Sequence, residues 1–327
     1  MKLCLDQIRD ITRGCVSVTE EEGCFRFYRF TKEQTAAYFD AGKQDFYKKT
    51  FASAGVRFAF RSNSGTFSFK VRTASGSSRK FVYFDCYENG VLTSHLGGDE
   101  MNAGEYSINF PLRPGEKDVE IYFPWTVRTD LCDVTLDDSA TLLPLRRKRA
   151  MISFGDSITH GYDARYPSLA YAPAVARMLD ADSVNKGIGG DIFFPDLLET
   201  PDPVSPDYVT VAYGTNDWWL STRGELEAHC RAFYVRLCEL YPRAKIFAIS
   251  PIWRKSGEQK TKFGEPVARV DDMMRKLTAD LPQVTVINGF ALVPHEPGFF
   301  SPDVVHPVDL GFCLYAENLA REIQKHL

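Results

Sequence analysis

The chain has 327 residues, 44% of them hydrophobic and 25% charged, which is the balance of a folded globular protein with room for two domains. Its formal net charge of −4 gives no reason to expect a nucleic acid or an anionic membrane as a partner. No run approaches the ~18 apolar residues of a membrane helix, and acidic residues stand where a signal peptide would be apolar, so we expect a cytoplasmic protein.

The first part of the chain has the alternating pattern of half-buried β-strands. Apolar residues recur with a period of two in five short runs, at residues 24–30, 56–60, 66–71, 80–84 and 119–123. The dipeptide Asn89-Gly90 indicates a tight hairpin turn. Helical periodicity is nearly absent, apart from a turn predicted around residues 33–39. We therefore predict that residues 1–146 form an antiparallel β-sandwich domain of the jelly-roll kind.

The pattern changes after the basic segment Arg146–Arg149, which is interpreted as a solvated linker rather than a localisation signal. Apolar strand candidates now alternate with amphipathic helices. The strands are predicted at residues 150–154, 183–186, 208–213, 245–249 and 284–287, and the helices at residues 223–241, 267–281 and 310–327. This alternation predicts a second domain, residues 147–327, built on a parallel sheet with helices on both faces.

Ligands of such sheets bind beyond the carboxyl ends of the strands, so the residues that end each strand are informative. The polar motifs at these ends are Gly155-Asp156-Ser157, the segment 185–191, Gly214-Thr215-Asn216-Asp217, and a later loop with Asp303 and His306. Acyl transfer needs a nucleophile, a base, a group that orients the base, and donors for an oxyanion. These loops contain a candidate for each role.

We predict Ser157 as the nucleophile, His306 as the base and Asp303 as the group that orients the imidazole. The N–H groups of Ser157 and Gly190 and the side-chain amide of Asn216 are the predicted oxyanion donors. These residues form the candidate catalytic site.

Each of these residues also has a structural interpretation. Ser157 and Asn216 suit helix caps, and Gly190 suits a plain turn. If Asp303 is only a loop acid, a Ser-His dyad remains. His160, three residues after Ser157, competes for the role of base.

Taken in order, the four motifs resemble the SGNH, or GDSL, hydrolase family. Its four invariant positions match Ser157 in GDSIT, Gly190 in NKGIGGD, Asn216 in YGTND and His306 in DVVHP, with Ile158 in place of the family's leucine. The resemblance covers about residues 148–327. It implies a flavodoxin-like catalytic domain and a Ser-His-Asp ester hydrolase without metal or cofactor.

A β-sandwich that precedes such a domain resembles the two-domain carbohydrate esterases that remove acetyl groups from plant polysaccharides. We therefore expect an acetylesterase whose partner is an O-acetylated carbohydrate or another small ester, with neither nucleic acid nor membrane involved. The candidate substrate-binding residues are Asp156, Trp218, Trp219 and Trp253. Flat aromatic side chains suit sugar rings, although core or lid packing explains these tryptophans equally well.

Three other functions stay open from the sequence. One is a lipase or thioesterase of the same family, which would need an apolar trough for its acyl chain. Another is a metal-dependent phosphoesterase that uses Asp156, Asn216, Asp303 and His306, and the last is a non-catalytic sugar-binding protein. The eight cysteines are scattered without a CxxC pair, so most are interpreted as small buried thiols and no metal site is predicted. The sequence leaves the oligomeric state open.

Overall fold

The computed structural model describes all residues, 1–327, and arranges the strands in three sheets. The strands are β1 (Thr12–Arg13), β2 (Ser17–Glu21), β3 (Cys24–Tyr28), β4 (Arg57–Ser62), β5 (Thr66–Ser75), β6 (Val82–Glu88), β7 (Val91–Gly98), β8 (Gly104–Pro111), β9 (Lys117–Tyr122), β10 (Val127–Leu136), β11 (Leu143–Pro144), β12 (Arg149–Gly155), β13 (Ala181–Gly187), β14 (Tyr208–Ala212), β15 (Lys245–Ile249) and β16 (Val284–Ile287). The helices are α1 (Leu5–Ile11), α2 (Lys32–Asp40), α3 (Gln44–Lys49), α4 (Ser157–His160), α5 (Tyr171–Met178), α6 (Thr215–Leu220), α7 (Arg223–Leu240), α8 (Arg269–Thr278) and α9 (Asp309–Gln324). No helix is both long enough and apolar enough to cross a membrane.

The first two sheets pack against each other as an antiparallel sandwich. One has the strand order β1-β4-β9-β6-β7, with β11 added beside β4, and the other has the order β2-β3-β10-β5-β8. Along β5 the side chains of Phe67, Phe69 and Val71 are buried and those between them are not, because successive residues of a strand face opposite sides. They share one core with Phe58 of β4. The predicted antiparallel sandwich is confirmed.

Several elements of this half were not predicted from the sequence. Its three short helices contradict the expectation that helix is nearly absent, and the turn expected near residues 33–39 is the two-turn helix α2. Thr31 caps the start of α2: its hydroxyl accepts the N–H of Gln34 while the Gln34 side chain accepts the N–H of Thr31. The central strand β10 was missed because a bulge between Cys132 and Thr135 interrupts the alternation.

The third sheet is parallel throughout, with the order β13-β12-β14-β15-β16. Helices α5 and α9 pack on one face of the sheet, together with the side chain of Met151. Helices α7 and α8 pack on the other face, together with the side chain of Ile152. This confirms the predicted sheet with helices on both faces. The strand order reverses at β12, and the loops that follow β12 and β14 therefore diverge and leave a crevice at the carboxyl edge.

Buried polar contacts join the sandwich to the parallel sheet. The guanidinium of Arg29, which follows β3, donates to the carbonyls of Asn185 and Gly187 at the end of β13. The hydroxyl of Tyr38 on α2 donates to a carboxylate oxygen of Asp191 at 2.6 Å. Side chains of the first half thus hold the end of β13 and the loop after it. The domain boundary after residue 146 stays a proposal.

The linker and the cysteines depart in part from what the sequence predicts. Arg147 is half-buried, and its guanidinium binds both carboxylate oxygens of Glu120 at 2.8 Å instead of lying in solvent. Cys24 and Cys132 form a disulfide between β3 and β10. Of the other cysteines only Cys86 and Cys230 are buried, so the expectation of mostly buried thiols is wrong.

Candidate active site

A cavity of about 390 Å³ lies at the carboxyl edge of the parallel sheet. The residues that line it are Lys49, Ser78, Arg79, Ser157, Tyr162, Gly189, Gly190, Asn216, Trp219, Arg254, Asp303, Val305 and His306. All five candidate catalytic and oxyanion residues are in this set, and they follow four different strands. The first three residues come from the sandwich, which forms one wall of the cavity.

Ser157, His306 and Asp303 form a continuous chain of hydrogen bonds. The Nε2 atom of His306 lies 2.8 Å from the Ser157 hydroxyl oxygen, and its Nδ1 atom lies 2.6 Å from a carboxylate oxygen of Asp303. Ser157 is the first residue of α4, and Asp156 caps that helix, so the serine hydroxyl is not engaged as a cap. In this arrangement Nε2 can take the hydroxyl proton while the carboxylate holds the other side of the ring.

Asp303 is fixed by more than the imidazole. Its second oxygen accepts the N–H groups of Val305 and His306 and the hydroxyl of Ser301. Partial burial by itself raises the pKa of Asp303, but the hydrogen bond to His306, the charge of that ring and the two N–H groups outweigh it and hold this pKa below its ordinary value. The carboxylate therefore stays ionised at neutral pH.

Three hydrogen-bond donors border the cavity beside Ser157. The N–H groups of Ser157 and Gly190 have no acceptor in the protein. The Asn216 amide donates one hydrogen to the carbonyl of Asp191 at 2.9 Å, which leaves its second hydrogen free. Gly190 has a φ of +91°, a left-handed conformation that favours glycine over every other residue. Together these donors can stabilise an oxyanion that forms at a carbonyl attacked by Ser157.

His160 supports the loop that carries Gly190. It is fully buried, its Nδ1 atom accepts the N–H of Gly189 at 3.2 Å, and its Nε2 atom donates to the carbonyl of Trp125 at 3.0 Å. Burial lowers the pKa of His160 well below its ordinary value, so the ring is neutral. Both ring nitrogens are occupied, and the structure places His306, not His160, against the Ser157 hydroxyl.

The structure does not bring the four candidate substrate-binding residues into one site. Only Trp219 lines the cavity, with 45% of its surface exposed. Trp218 is completely buried and its indole N–H donates to the carbonyl of Glu265, which agrees with the core-packing alternative.

The other two lie outside the cavity lining. Trp253 is stacked on His295, with 5.6 Å between the ring centroids. Asp156 is buried, accepts the N–H of Ile158 at 2.9 Å, and has its pKa raised to about 7 by burial. Its position fits the cap of α4 rather than a contact with substrate.

Other residues at the site were missed from the sequence. Arg79 binds both carboxylate oxygens of Asp163, at 2.6 and 2.9 Å, and Asp163 lies 3.6 Å from the Nδ1 atom of His306. Lys49 donates to the carbonyl of Gly189 at 2.8 Å. Arg79 and Lys49 reach the site only because the sandwich packs on it, and no local motif marks such residues. Of these three residues, only Asp163 could have been found from the sequence, because it lies just after the GDSIT motif.

Asp163, Asp303 and His306 have ligand atoms within 4.8 Å of one another, the spacing that a metal site requires. Their bonding does not suit a cation. Both oxygens of Asp163 are bound by the Arg79 guanidinium, and Nδ1 of His306 is bound by Asp303. A positive guanidinium beside the donors opposes a second positive charge.

Residues 153–312 match the model of the GDSL-like Lipase/Acylhydrolase family. Among solved structures, a salicylyl-acyltransferase from a tetracycline biosynthetic pathway is similar with a TM-score of 0.81 and 21% identity, over 96% of this chain and 94% of that one. A putative GDSL-like lipase from Bacteroides ovatus has a TM-score of 0.76 and 19% identity, over 97% and 96% of the two chains. A family two carbohydrate esterase from Clostridium thermocellum has a TM-score of 0.66 and 16% identity, over 84% of this chain and 93% of that one. No curated protein matches the sequence significantly. At these identities the likeness is one of fold.

Proposed function

Because residues 153–312 form a GDSL-like lipase/acylhydrolase domain, we propose that the protein is a serine esterase that removes O-acetyl groups from carbohydrates. The observation that carries the proposal is the hydrogen-bonded chain from Ser157 through His306 to Asp303, which lies in a cavity with free oxyanion donors. We propose in particular that Ser157, His306 and Asp303 act as a catalytic triad and that the ester removed is an acetyl ester.

The proposed reaction has two steps. His306 takes the proton of Ser157 through Nε2 while the serine oxygen attacks the acetyl carbonyl, and the N–H groups of Ser157 and Gly190 with the Asn216 amide bind the oxyanion. The intermediate collapses as His306 returns the proton to the sugar oxygen, which leaves as an alcohol. Water, activated by the same imidazole, then attacks the acetyl-serine, releases acetate and restores Ser157.

The character of the cavity supports a small polar substrate. Most of its lining residues are polar or charged, and its apolar side chains are Tyr162, Trp219 and Val305. No apolar trough for a long acyl chain is present among them, which counts against the lipase and thioesterase alternatives. The exposed face of Trp219 suits a sugar ring. The similar fold of a family two carbohydrate esterase is consistent with this choice.

The most informative test is a mass-spectrometric screen of acetylated manno-, xylo- and other oligosaccharides for loss of acetyl groups. We expect the wild type to release acetate, and Ser157→Ala to release none above background, since the nucleophile is gone. We expect the same difference between wild type and Ser157→Ala on p-nitrophenyl acetate. Circular dichroism of the variant checks its fold. Activity of Ser157→Ala within tenfold of wild type would contradict the serine mechanism.

Two further readouts separate the alternatives. Faster turnover of octanoyl than of acetyl esters would overturn the carbohydrate assignment in favour of a lipase. Loss of activity on treatment with EDTA would favour the metal-dependent alternative. Acetyl groups found on an added alcohol rather than on water would identify an acyltransferase.

A further inference from the structure

We propose that Arg254 binds a carboxylate of the ester substrate, so that the enzyme acts on acidic esters. This inference rests on the proposed esterase function and specifies its substrate class. The carboxylate belongs either to the sugar, as in an acetylated uronic acid, or to the acyl group, as in a dicarboxylic monoester, and in the second case the acyl group removed is not acetyl. The pairing of the positive charges in the cavity supports this inference.

Three basic side chains line the cavity: Lys49, Arg79 and Arg254. Lys49 is paired with Asp45 at 2.5 Å, and Arg79 is paired with Asp163 at 2.6 Å. Arg254 forms no ion pair with any carboxylate of the chain, although it is half-buried in the cavity wall. It is therefore the one lining cation whose charge the protein leaves without a direct partner.

The guanidinium of Arg254 is nevertheless held in place. Its Nε–H donates to the hydroxyl of Ser256 at 2.8 Å, and an Nη1 hydrogen donates to the hydroxyl of Thr215 at 3.4 Å. The group lies over the rings of Trp218 and Trp219, at 5.3 and 5.7 Å from their centroids. A guanidinium has five N–H donors, so three have no acceptor in the protein. An ordered cation with free donors is suited to a planar carboxylate.

The surroundings of Arg254 leave the charge uncompensated. Burial lowers the pKa of Arg254, and the more distant charges of Asp156 and Asp303 oppose this effect. Asp156 is buried with its pKa raised to about 7, and Asp303 is bound to His306, so neither is available as a direct partner. A half-buried charge without a counter-ion is unfavourable, and a bound carboxylate would remove that penalty.

Arg254 also lies beside the catalytic groups. Thr215, Trp218 and Trp219, which it contacts, belong to α6, the helix that carries the proposed oxyanion donor Asn216. A carboxylate held by Arg254 would therefore lie next to the ester carbonyl and fix the orientation of the substrate. A purely structural alternative is that Arg254 only anchors α6, and the experiment must separate the two.

The test compares esters that differ only in a carboxylate. The sugar pair is the O-acetylated methyl glycoside of glucuronic acid, with its carboxylate free, and the O-acetylated methyl glycoside of glucose; the acyl pair is p-nitrophenyl hemisuccinate and p-nitrophenyl butyrate. We expect the wild type to show a kcat/KM at least about tenfold higher for the acidic member of one pair, mainly through a lower KM. The pair that responds identifies which side of the ester carries the charge.

Variants at Arg254 separate recognition from anchoring. Arg254→Met should reduce the acidic-to-neutral ratio to near one, and Arg254→Lys should restore part of it because it keeps the charge but not the fork of donors. A structural role would lower the rates on both members of a pair equally and leave the ratio unchanged, which would contradict the proposal. Arg243→Met, at an exposed arginine outside the cavity, is the matched control and should leave the ratio as in wild type.

Binding to Ser157→Ala gives a readout that does not depend on esterase activity. Isothermal titration with sodium glucuronate, sodium succinate and glucose should show binding of one of the two acids, no binding of glucose, and loss of binding in Ser157→Ala/Arg254→Met. If an acid binds but no ester is hydrolysed, the esterase proposal fails while the carboxylate site stands. If Ser157-dependent hydrolysis is present, but both ratios are near one and neither acid binds, the carboxylate site is refuted and the esterase remains.

Discussion

The carboxylate of Asp163 lies 3.6 Å from the Nδ1 atom of His306, the same nitrogen atom that Asp303 contacts at 2.6 Å. The proposed base therefore faces two acids, of which only Asp303 makes a direct hydrogen bond. Arg79, from the sandwich, binds both oxygens of Asp163 and neutralises it. The imidazole thus has one effective acidic partner because the other acid is paired across the two halves of the chain.

Loss of the Arg79 charge should alter the pH dependence of hydrolysis. In Arg79→Met the Asp163 carboxylate is unpaired near His306, and it favours the protonated imidazole, which cannot accept the serine proton. We expect the acid limb of the kcat/KM profile to move to higher pH by about 0.5 to 1 unit. Arg72→Met, at an exposed arginine of the sandwich paired with Glu105, is the control. An unchanged profile in Arg79→Met would mean that Asp163 does not act on the imidazole.

Loss of the Asp303 carboxylate should lower kcat far more than loss of the Asp163 carboxylate. Asp303→Asn keeps the shape of the side chain but removes the charge that stabilises the imidazolium, a loss that can reach about 10⁴ in kcat in a full triad. We expect a loss of at least about 10² on an acetylated oligosaccharide, measured at saturating substrate. Asp163→Asn is the matched variant at the more distant acid, and it should lose much less. A change below fivefold in Asp303→Asn would leave a Ser-His dyad as the mechanism.

The Asn216 amide should act in the transition state rather than in substrate binding. Removal of one oxyanion donor typically lowers kcat by about 10²–10³, and we expect a loss in this range for Asn216→Ala. KM should hardly change, because the hydrogen bond strengthens as the oxyanion forms. Steady-state kinetics on p-nitrophenyl acetate measure both constants. An effect confined to KM would make Asn216 a substrate-binding residue.

Asp191 should make the stability of the protein depend on pH. Burial raises the pKa of Asp191 to about 6, although the Tyr38 hydroxyl partly offsets this effect, whereas an unfolded aspartate has a pKa of about 3.9. The folded protein then binds an extra proton between about pH 4 and 6, and the penalty for the buried charge appears as the pH rises through that range. Asp191→Asn has no such charge, and its Oδ1 atom can still accept the Tyr38 hydroxyl.

Relative to wild type, Asp191→Asn should therefore gain up to about 3 kcal/mol in unfolding free energy as the pH increases from 4 to 7. Urea unfolding at both pH values measures the difference. Asp6→Asn, at an exposed acid of α1, is the control and should track wild type. A constant difference between Asp191→Asn and wild type across this range would show that Asp191 is not buried as a charge.

The cavity residues in the loops that follow the parallel strands were predicted from the sequence. Those that the first half of the chain contributes were missed. Ser157, Asn216 and His306 were found because the carboxyl ends of parallel strands share one edge. Trp218 and Trp219 could not be told apart, since adjacent residues of a short helix face different sides and only packing decides which one is buried. Arg79 depends on contacts between distant parts of the chain, which no local period reveals.

The fold was predictable where the periodicity was regular. The strand β5 alternates over its whole length and was identified, whereas β10 is interrupted by a bulge at Asp133, which adopts a left-handed φ of +51°. The helices of the first half are short, and packing sets their place: α1 buries Ile8 and Ile11 in the sandwich core, whereas Tyr38 of α2 contacts Asp191 of the parallel-sheet half. Their sequences alone carry too few turns for a helical period to stand out.

The buried contacts across the two halves have a consequence for how such a protein can be rebuilt or can evolve. Lys186, at the end of β13, has no exposed surface, and its Nζ atom is bound by Asp202 and by Gln34 of the sandwich. Arg29, also from the first half, donates to the carbonyl of Asn185 in the same strand. A catalytic half recombined with a foreign sandwich would keep the Lys186–Asp202 pair but lose Gln34 and Arg29, so the buried pair would lose the polar partners that the first half supplies. The halves therefore behave as a matched pair rather than as interchangeable modules, and changes at their junction must be inherited together.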